Sequence, residues 1–410
     1  MNPASPAVSF RPLFSLPVIV AALGYFVDVY DLLLFNIVRV PSLKDLGLDE
    51  KQISIIGGTV LNWQQAGLLL GGVLWGILGD KRGRLSVLFG SIVTYSLANI
   101  ACGFVQDANT YALLRFVAGL GLAGELGAGI TLVSEILPKE LRGYGTSLVA
   151  GVGLFGAVVA YFTVVLFDWR TTYFIGGGLG LVLLLLRVSV FESSMFLRMK
   201  EQTVQRGNFW SLFTHSRRLL TYLRCMGLAV PTYFVIGILA TFSNEFAKAL
   251  GISEPIAPGR VVMFTYVGMG VGDLISGPLS QWFRSRRRAI GALMLLNLVF
   301  VAIYLFAGIA SIPLFYTVCV ILGFSIGYIA LFLTVSAEHF GTNLRSTATT
   351  SIANNVRATT LLTIPLFQSL KPSVGVIGSA AVVALLCFLI SFWSLATLDE
   401  TYGKDLNYVE

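Results

Sequence analysis

The stretch Gly79-Asp80-Lys81-Arg82-Gly83-Arg84 decides how this chain is read. It crowds four charged side chains into a connection between two long apolar runs, in a sequence where only 12% of residues are charged. Its two glycines permit a sharp turn, and an aspartate placed there can cap a neighbouring helix N-terminus or pair with a nearby cation.

Working outward, the whole composition agrees with a membrane setting. The chain has 410 residues, 56% of them hydrophobic, whereas soluble domains are roughly 45–50% apolar and roughly 25% charged. Its net charge of +7 sits in short connections, as membrane orientation requires, so nucleic acid is excluded as the partner and the lipid bilayer is the expected one. A span needs about 20 apolar residues. Stretches of that length run over about 14–38, 55–79, 85–105, 110–137, 144–167 and 171–190, and then over about 219–249, 258–283, 289–309, 312–336, 346–370 and 374–397. The expectation is an all-α membrane protein with about 12 transmembrane helices. With both termini in the cytoplasm, roughly 19 Lys and Arg fall inside and roughly 7 outside, the bias of the positive-inside rule. The first stretch reads as a retained helix rather than a cleaved leader. Cys102, Cys225, Cys319 and Cys387 lie in apolar runs without metal-like spacing, so no metal is expected. No nucleophile–base constellation marks an enzyme.

The chain also repeats itself. Ser134-Glu135-Ile136-Leu137-Pro138-Lys139-Glu140-Leu141-Arg142 has a counterpart in Ser336-Ala337-Glu338-His339-Phe340-Gly341-Thr342-Asn343-Leu344-Arg345, with Glu, Leu and Arg at one constant offset. Gly277, Gln281 and Arg284 to Arg288 form a degraded copy of the opening turn. That turn, preceded by Gly72 and Gly76, resembles the G-x-x-x-D-x-x-G-R turn of the major facilitator superfamily. Phe191-Glu192-Ser193-Ser194-Met195-Phe196-Leu197 and Asp399-Glu400-Thr401-Tyr402-Gly403-Lys404 are similar to the segments closing each half of its sugar-porter-like members, with Phe191 and Asp399 in place of prolines. The resemblance implies two pseudo-symmetric six-helix bundles, residues 1–190 and 219–410, joined by a cytoplasmic linker at 191–218. It implies too that Asp80, Arg84, Glu135, Arg142 and Glu192, with Glu338, Arg345 and Glu400, gate the inner side by salt bridges. Static surface pairs, worth little, are the other reading of these residues.

Ionisable groups at bilayer depth are costly and default to a function with a partner. In Phe26-Val27-Asp28-Val29-Tyr30-Asp31, Asp28 and Asp31 stand three apart and share one side of a helix. Two carboxylates there need a cation or a proton, and either one can be the proton carrier. A helix–helix hydrogen bond is the alternative. The segment Arg115-Phe116-Val117-Ala118-Gly119-Leu120-Gly121-Leu122-Ala123-Gly124-Glu125 is similar to the superfamily's R-x-x-x-G-x-G-x-G-G-E pattern. The resemblance implies that Asp31 pairs with Arg115 and is released on protonation, with Val29 standing where relatives have glycine. Asp28 matches the paired aspartates of metabolite and aromatic-acid symporters, and Glu125 is linked either to packing or to the proton.

Further on, Asn354-Asn355-Val356-Arg357 places a fixed charge near mid-depth. Arg357 either binds a substrate carboxylate bidentately or pairs permanently with Asp273 or an aspartate of the first helix. Tyr30, Gln64, Gln65, Tyr233, Asn354, Asn355 and Asp273 are the other expected substrate contacts, though polar residues also serve as packing glue in membranes. The expected activity is proton-coupled symport of a small organic anion by alternating access, with no cofactor beyond the proton and a monomer as the working unit. A proton-antiport exporter is the alternative. Sugar symport is less favoured because Val149 to Gly156 lacks the sugar-porter glutamine, and a transporter-like sensor is the remote case.

Overall fold

The computed structural model describes residues 10–188, 206–252, 254, 256, 258–309 and 311–409. Regular structure among them is wholly helical. The first half holds α1 (Leu16–Asp45), α2 (Glu50–Arg82), α3 (Arg84–Cys102), α4 (Ala108–Leu122), α5 (Glu125–Ile136), α6 (Arg142–Leu154), α7 (Gly156–Leu166) and α8 (Trp169–Arg187). The second holds α9 (Ser216–Leu228), α10 (Val230–Phe234), α11 (Ser243–Ala249), α12 (Pro258–Phe283), α13 (Arg286–Phe306), α14 (Ile312–Ser325), α15 (Ile329–His339), α16 (Arg345–Asn355) and α17 (Thr360–Thr397).

Among the described residues, nine helical runs are long and apolar enough to cross a membrane. A bent run, α9 with Val230–Ala240, makes a tenth, its parts angled at 43°. Helix α2 is 33 residues long but diluted by Asn62, Gln64 and Gln65, so it falls outside that group. The last run, Arg345–Thr397, has 53 residues, more than twice the roughly 20 that one crossing needs. It is interrupted at Gly375, whose φ of +71° a residue with a Cβ rarely adopts. Part of the connection expected at 191–218 is helical, with a turn at Ser211–Thr214 and α9 starting at Ser216; Glu192 lies outside the described residues.

Where hydropathy shows continuous spans, the structure shows breaks. Backbone turns interrupt the α4–α5 run at Ala123–Gly124, the α6–α7 run at Phe155 and the α14–α15 run at Ile326–Tyr328. A π-helical segment, Val235–Ala240, follows α10, and a 3₁₀ turn, Val356–Thr359, separates α16 from α17. Such interruptions are tolerated at membrane depth only where protein or a water-lined cavity surrounds them.

The helix starts at one end are fixed by short acidic caps. Asp107 accepts from the backbone N–H groups of Asn109 and Thr110, and Asp168 from those of Arg170 and Thr171. The Thr110 N–H holds the Asp107 carboxyl below its ordinary range, and the Thr171 hydroxyl and N–H do the same for Asp168. At the opposite end, the two halves of the chain meet along α2 against α16 and α6 against α12. Glycine makes that approach possible: a Cβ on Gly79 would fall 2.1 Å from the Ser346 hydroxyl oxygen, and one on Gly277 2.2 Å from the Gly143 carbonyl oxygen. Of the two glycines expected to shape the opening turn, only Gly83 does so, with a φ of +106°; Gly79 lies inside α2 and serves as a contact point.

Candidate functional site

A cavity of about 270 Å³ lies between the halves. Helix α1 contributes Tyr25, Val29, Leu32, Leu33 and Asn36, the spacing of one helical face. Gln64 and Gln65 enter from α2 and Tyr233 from α10, and Arg357 comes from the 3₁₀ turn. Asn36 and Thr241 at one end are exposed, whereas Tyr25, Met269 and Ile329 at the other are buried. Beyond that buried end, Thr334 donates to Thr146 across the halves at 2.8 Å, and the Ser147 and Ser276 hydroxyls lie 3.2 Å apart. The cavity is thus closed on the side of the charged turn.

Asp31 lies round α1 from the cavity stripe, fully buried, with Arg115 Nη1 at 3.1 Å. The same guanidinium donates to the Asp31 backbone carbonyl at 3.2 Å, to Asn99 Oδ1 at 2.9 Å and to Gln64 Oε1 at 3.3 Å. Oδ2 of Asp31 is buried and has no hydrogen-bond partner, leaving a place for a proton. Gln64 therefore touches both the cavity and the ion pair, and its amide is anchored by a 3.2 Å bond to the Leu32 carbonyl. Tyr30 takes no part in the cavity: its hydroxyl donates to the Thr172 carbonyl at 3.0 Å and accepts from Thr163 at 3.1 Å.

A second buried pair sits at the α4–α5 break. Glu125, the first residue after it, is held bidentately by Arg187 at 2.6 and 3.1 Å and accepts from the Ser91 hydroxyl. Gly24 of α1 leaves the room, since a Cβ there would fall 2.0 Å from Arg187 Nη2 and 2.8 Å from Glu125 Oε2. Asp28 is 2% exposed with its Oδ1 unpartnered. It makes no ion pair among the described residues, and the charges acting on it are Glu125, Arg357, Asp31 and Arg187.

Across the cavity Arg357 is only partly buried, and its Nε donates to the Tyr233 hydroxyl at a long 3.4 Å. Among the described residues it forms no salt bridge with Asp273, Asp28 or Asp31. Asp273 is occupied elsewhere: its Oδ1 accepts the Ala330 N–H at 2.9 Å and caps the start of α15 at the break. Asn354 bridges the halves by donating to the Ala123 carbonyl at 2.9 Å, and Asn355 donates to the Tyr222 hydroxyl at 2.9 Å. Neither asparagine lines the cavity.

Of the residues expected to gate, the charged end brings together Asp80, Arg84, Glu135, Arg142, Glu338 and Arg345. Asp80 accepts from the Ser346 N–H at 3.0 Å and the Thr347 N–H at 2.8 Å, so a first-half carboxylate caps a second-half helix. It also pairs with Arg84 at 3.2 Å. Glu135 holds Arg84 at 2.7 Å and Arg345 at 3.0 Å, while Glu338 holds Arg142 at 3.1 Å and Arg286 at 3.2 Å. Each glutamate thus clamps one arginine of its own half and one of the other. The segment after α17 lies over this network: Arg142 donates to the Lys404 carbonyl at 3.3 Å and Arg345 to the Leu406 carbonyl at 2.6 Å. Glu400 crosses to the start of α13, accepting from the Ser285 hydroxyl and the N–H groups of Arg286 and Arg287. Burial pushes its carboxyl up, but these donors outweigh that and hold it below its ordinary range.

The sequence profile described as the Major Facilitator Superfamily matches residues 21–358. The chain belongs to that superfamily. Its membership makes the chain a multi-pass transporter of the cell membrane rather than an enzyme. A putative metabolite transport protein of Haemophilus influenzae is 26% identical over 402 residues, covering 94% of this chain and 96% of its own. The gentisate transporter of Corynebacterium glutamicum is 23% identical, covering 78% of this chain and 73% of its own. The solved proton:xylose symporter XylE, bound to 6-bromo-6-deoxy-D-glucose, superposes with a TM-score of 0.75 at 17% identity. That match covers 97% of this chain and 98% of the other. It shows the major facilitator fold.

Within this superfamily chain, sequence reasoning missed Arg187, Asn99 and Ser91, which complete the two buried pairs; it placed Arg286 in the degraded copy of the turn but not in the clamp with Glu338. Arg187 ends the run Leu183-Leu184-Leu185-Leu186, where an arginine ordinarily snorkels to the interface. Only the carboxylate at 125 and the glycine at 24 hinted that it turns inward.

Proposed function

We propose that this chain is a proton-coupled symporter of a small carboxylate with an apolar, aromatic-sized body. The observation that carries the reading is Arg357: a fixed cation facing a cavity that is closed at the charged end, with no salt bridge among the described residues and one long hydrogen bond to Tyr233. A carboxylate completes its charge by a bidentate bond. Val29, Leu32, Leu33, Leu154, Ile236 and Met269 offer the apolar wall, and Tyr25, Tyr233 and Tyr266 the aromatic one. The relative that transports gentisate, an aromatic carboxylate, supports the same class.

The proton is assigned to Asp31, whose orphan Oδ2 and Arg115 partner fit a group that exchanges a cation for a proton, with Asp28 as the neighbouring acceptor. Gln64 relays the state of that pair to the cavity wall. No other coupling ion or cofactor is invoked, and one chain suffices because the path runs inside it. We assign 12 membrane helices, counting α2, the bent α9 run and two crossings between Arg345 and Thr397. They form two bundles, 1–190 and 219–410, linked through 191–218, and the charged end with both termini faces the cytoplasm, as the positive-inside bias requires. The closed charged end then belongs to an outward-facing state.

Magnitudes bear on how that end can open. Removing one partner of a buried pair costs about 3–5 kcal/mol because a bare charge stays buried. Opening the end instead rehydrates both partners of Glu135–Arg345 and Arg142–Glu338 together, so the net penalty is far smaller and a bound ligand can offset it. The test is uptake of a radiolabelled aromatic carboxylate into proteoliposomes with and without an imposed proton gradient. Gradient-driven accumulation that collapses with a protonophore is expected; accumulation indifferent to the gradient contradicts the coupling.

A further inference from the structure

A groove of about 970 Å³ lies on the charged end, away from the transport cavity, between the α12–α13 turn and the end of α17. Its walls are of two kinds. Phe283, Phe392 and Leu395 form an apolar face, and Arg284, Arg287 and Arg288 form a basic one. Glu400 also borders it, but its carboxylate is taken up by Ser285 and the first N–H groups of α13. Arg287 is likewise spoken for, donating to the Leu395 and Ala396 carbonyls at 3.0 and 2.9 Å. Arg284 and Arg288 are left exposed and without an ion pair among the described residues.

A further observation places this groove at headgroup depth. Trp282 and Trp393, 77% and 51% exposed, stand at the same ends of α12 and α17, and exposed tryptophans there belong to the aromatic belt at a membrane–water boundary. Arg284 has a φ of +49°, the one positive value at a non-glycine among the described residues. A backbone conformation unfavourable for a side-chain-bearing residue is retained here, at the rim of the groove.

We propose that this groove binds the headgroup of an anionic phospholipid, its phosphate between Arg284 and Arg288 and its acyl chains along Phe283, Phe392 and Leu395. The two free cations complement a single anionic headgroup, and the apolar wall distinguishes a lipid from free phosphate, which can use the charges alone. Basic recesses between membrane helices recognise lipid headgroups by this chemistry.

The purified full-length chain in detergent is titrated with phosphatidylglycerol, phosphatidylcholine and inorganic phosphate, and bound lipid is counted by native mass spectrometry. Phosphatidylglycerol is expected to bind more tightly than phosphatidylcholine. The R284Q/R288Q double variant should lose roughly 30-fold in phosphatidylglycerol affinity, while its weak phosphatidylcholine binding is unchanged. R284K/R288K should keep most of the affinity, which separates lost charge from lost folding. A charge-matched control, K139Q/R217Q, should bind as the parent does. Parent-like affinity in R284Q/R288Q, or an equal loss in the control, overturns the proposal. Full displacement of the lipid by millimolar inorganic phosphate overturns the lipid assignment and leaves a phosphate site.

Discussion

The two halves bury charge in different ways. Before residue 190, Asp31 is matched by Arg115 and Glu125 by Arg187, both inside one half and with no exposure to speak of. After residue 218, Asp273 is spent on a helix start, and Arg357 faces the cavity with a tyrosine as its hydrogen-bond partner. The same contrast appears at the charged end. The turn 79–84 carries Asp80, which caps α16, while the equivalent turn presents Gln281 toward the start of α6, its Nε2 buried without a partner. Duplicated folds thus arrange charge differently: one half pairs its buried ions internally, and the other leaves a cation facing the cavity with a tyrosine as its hydrogen-bond partner.

The largest expected effect strikes the exposed side of that contrast. Arg357→Gln should abolish carboxylate binding, and Arg357→Lys should weaken it by roughly 10- to 100-fold, the loss of one bidentate charged contact. Neutral analogues should be affected little, and equal loss for both would assign Arg357 to structure alone. Asp31→Asn tests the paired half: accumulation driven by a proton gradient should vanish while counterflow exchange persists. Gradient-dependent accumulation in that variant would remove Asp31 from the proton path. Gly24→Ala should destabilise by ~1–3 kcal/mol, because the new methyl meets the Arg187–Glu125 pair. An unchanged melting curve would show that this pair relaxes freely.

Smaller effects test the asymmetry of the turns. Asp80→Asn should loosen the charged end by ~0.5–2 kcal/mol, and Gln281→Glu should tighten it by ~0.3–1 kcal/mol by supplying α6 with the carboxylate it lacks. Distances measured between spin labels across that end would show opposite population shifts for the two. Smallest is Glu400→Gln. Its carboxyl is held below the ordinary range, so its cap is intact above the unfolded value of about 4.3 and fades as pH falls through the lower folded value. Parent and variant should therefore differ in melting temperature at neutral pH and converge in acid.

Much of this was legible in residues. The turn at 79–84, its degraded copy and the Glu135–Arg142 and Glu338–Arg345 repeats announced the fold, because tight turns between apolar runs tolerate few sequences. Charge in an apolar run needs a partner, which made Asp31 readable as a paired residue; that the partner is Arg115 came from the resemblance of the 115–125 segment. The breaks were not readable. Hydropathy averages across a window, and Gly124, Phe155 and Tyr328 alter it little, so it did not show that Glu125 opens a helix or that Asp273, in the middle of α12, caps the start of α15. Asn354 and Asn355 look like binding residues in sequence but hydrogen-bond to Ala123 and Tyr222, since side-chain direction at the 3₁₀ turn depends on packing that no periodicity encodes.

The central claim is that Arg357 reads the substrate's carboxylate. It is tested most directly by the thermal shift that an aromatic carboxylate and its carboxamide each produce on the purified chain and on Arg357→Gln. The parent should be stabilised by the acid and not by the amide, and the variant by neither. A variant that still prefers the acid would place the anion elsewhere and contradict the account.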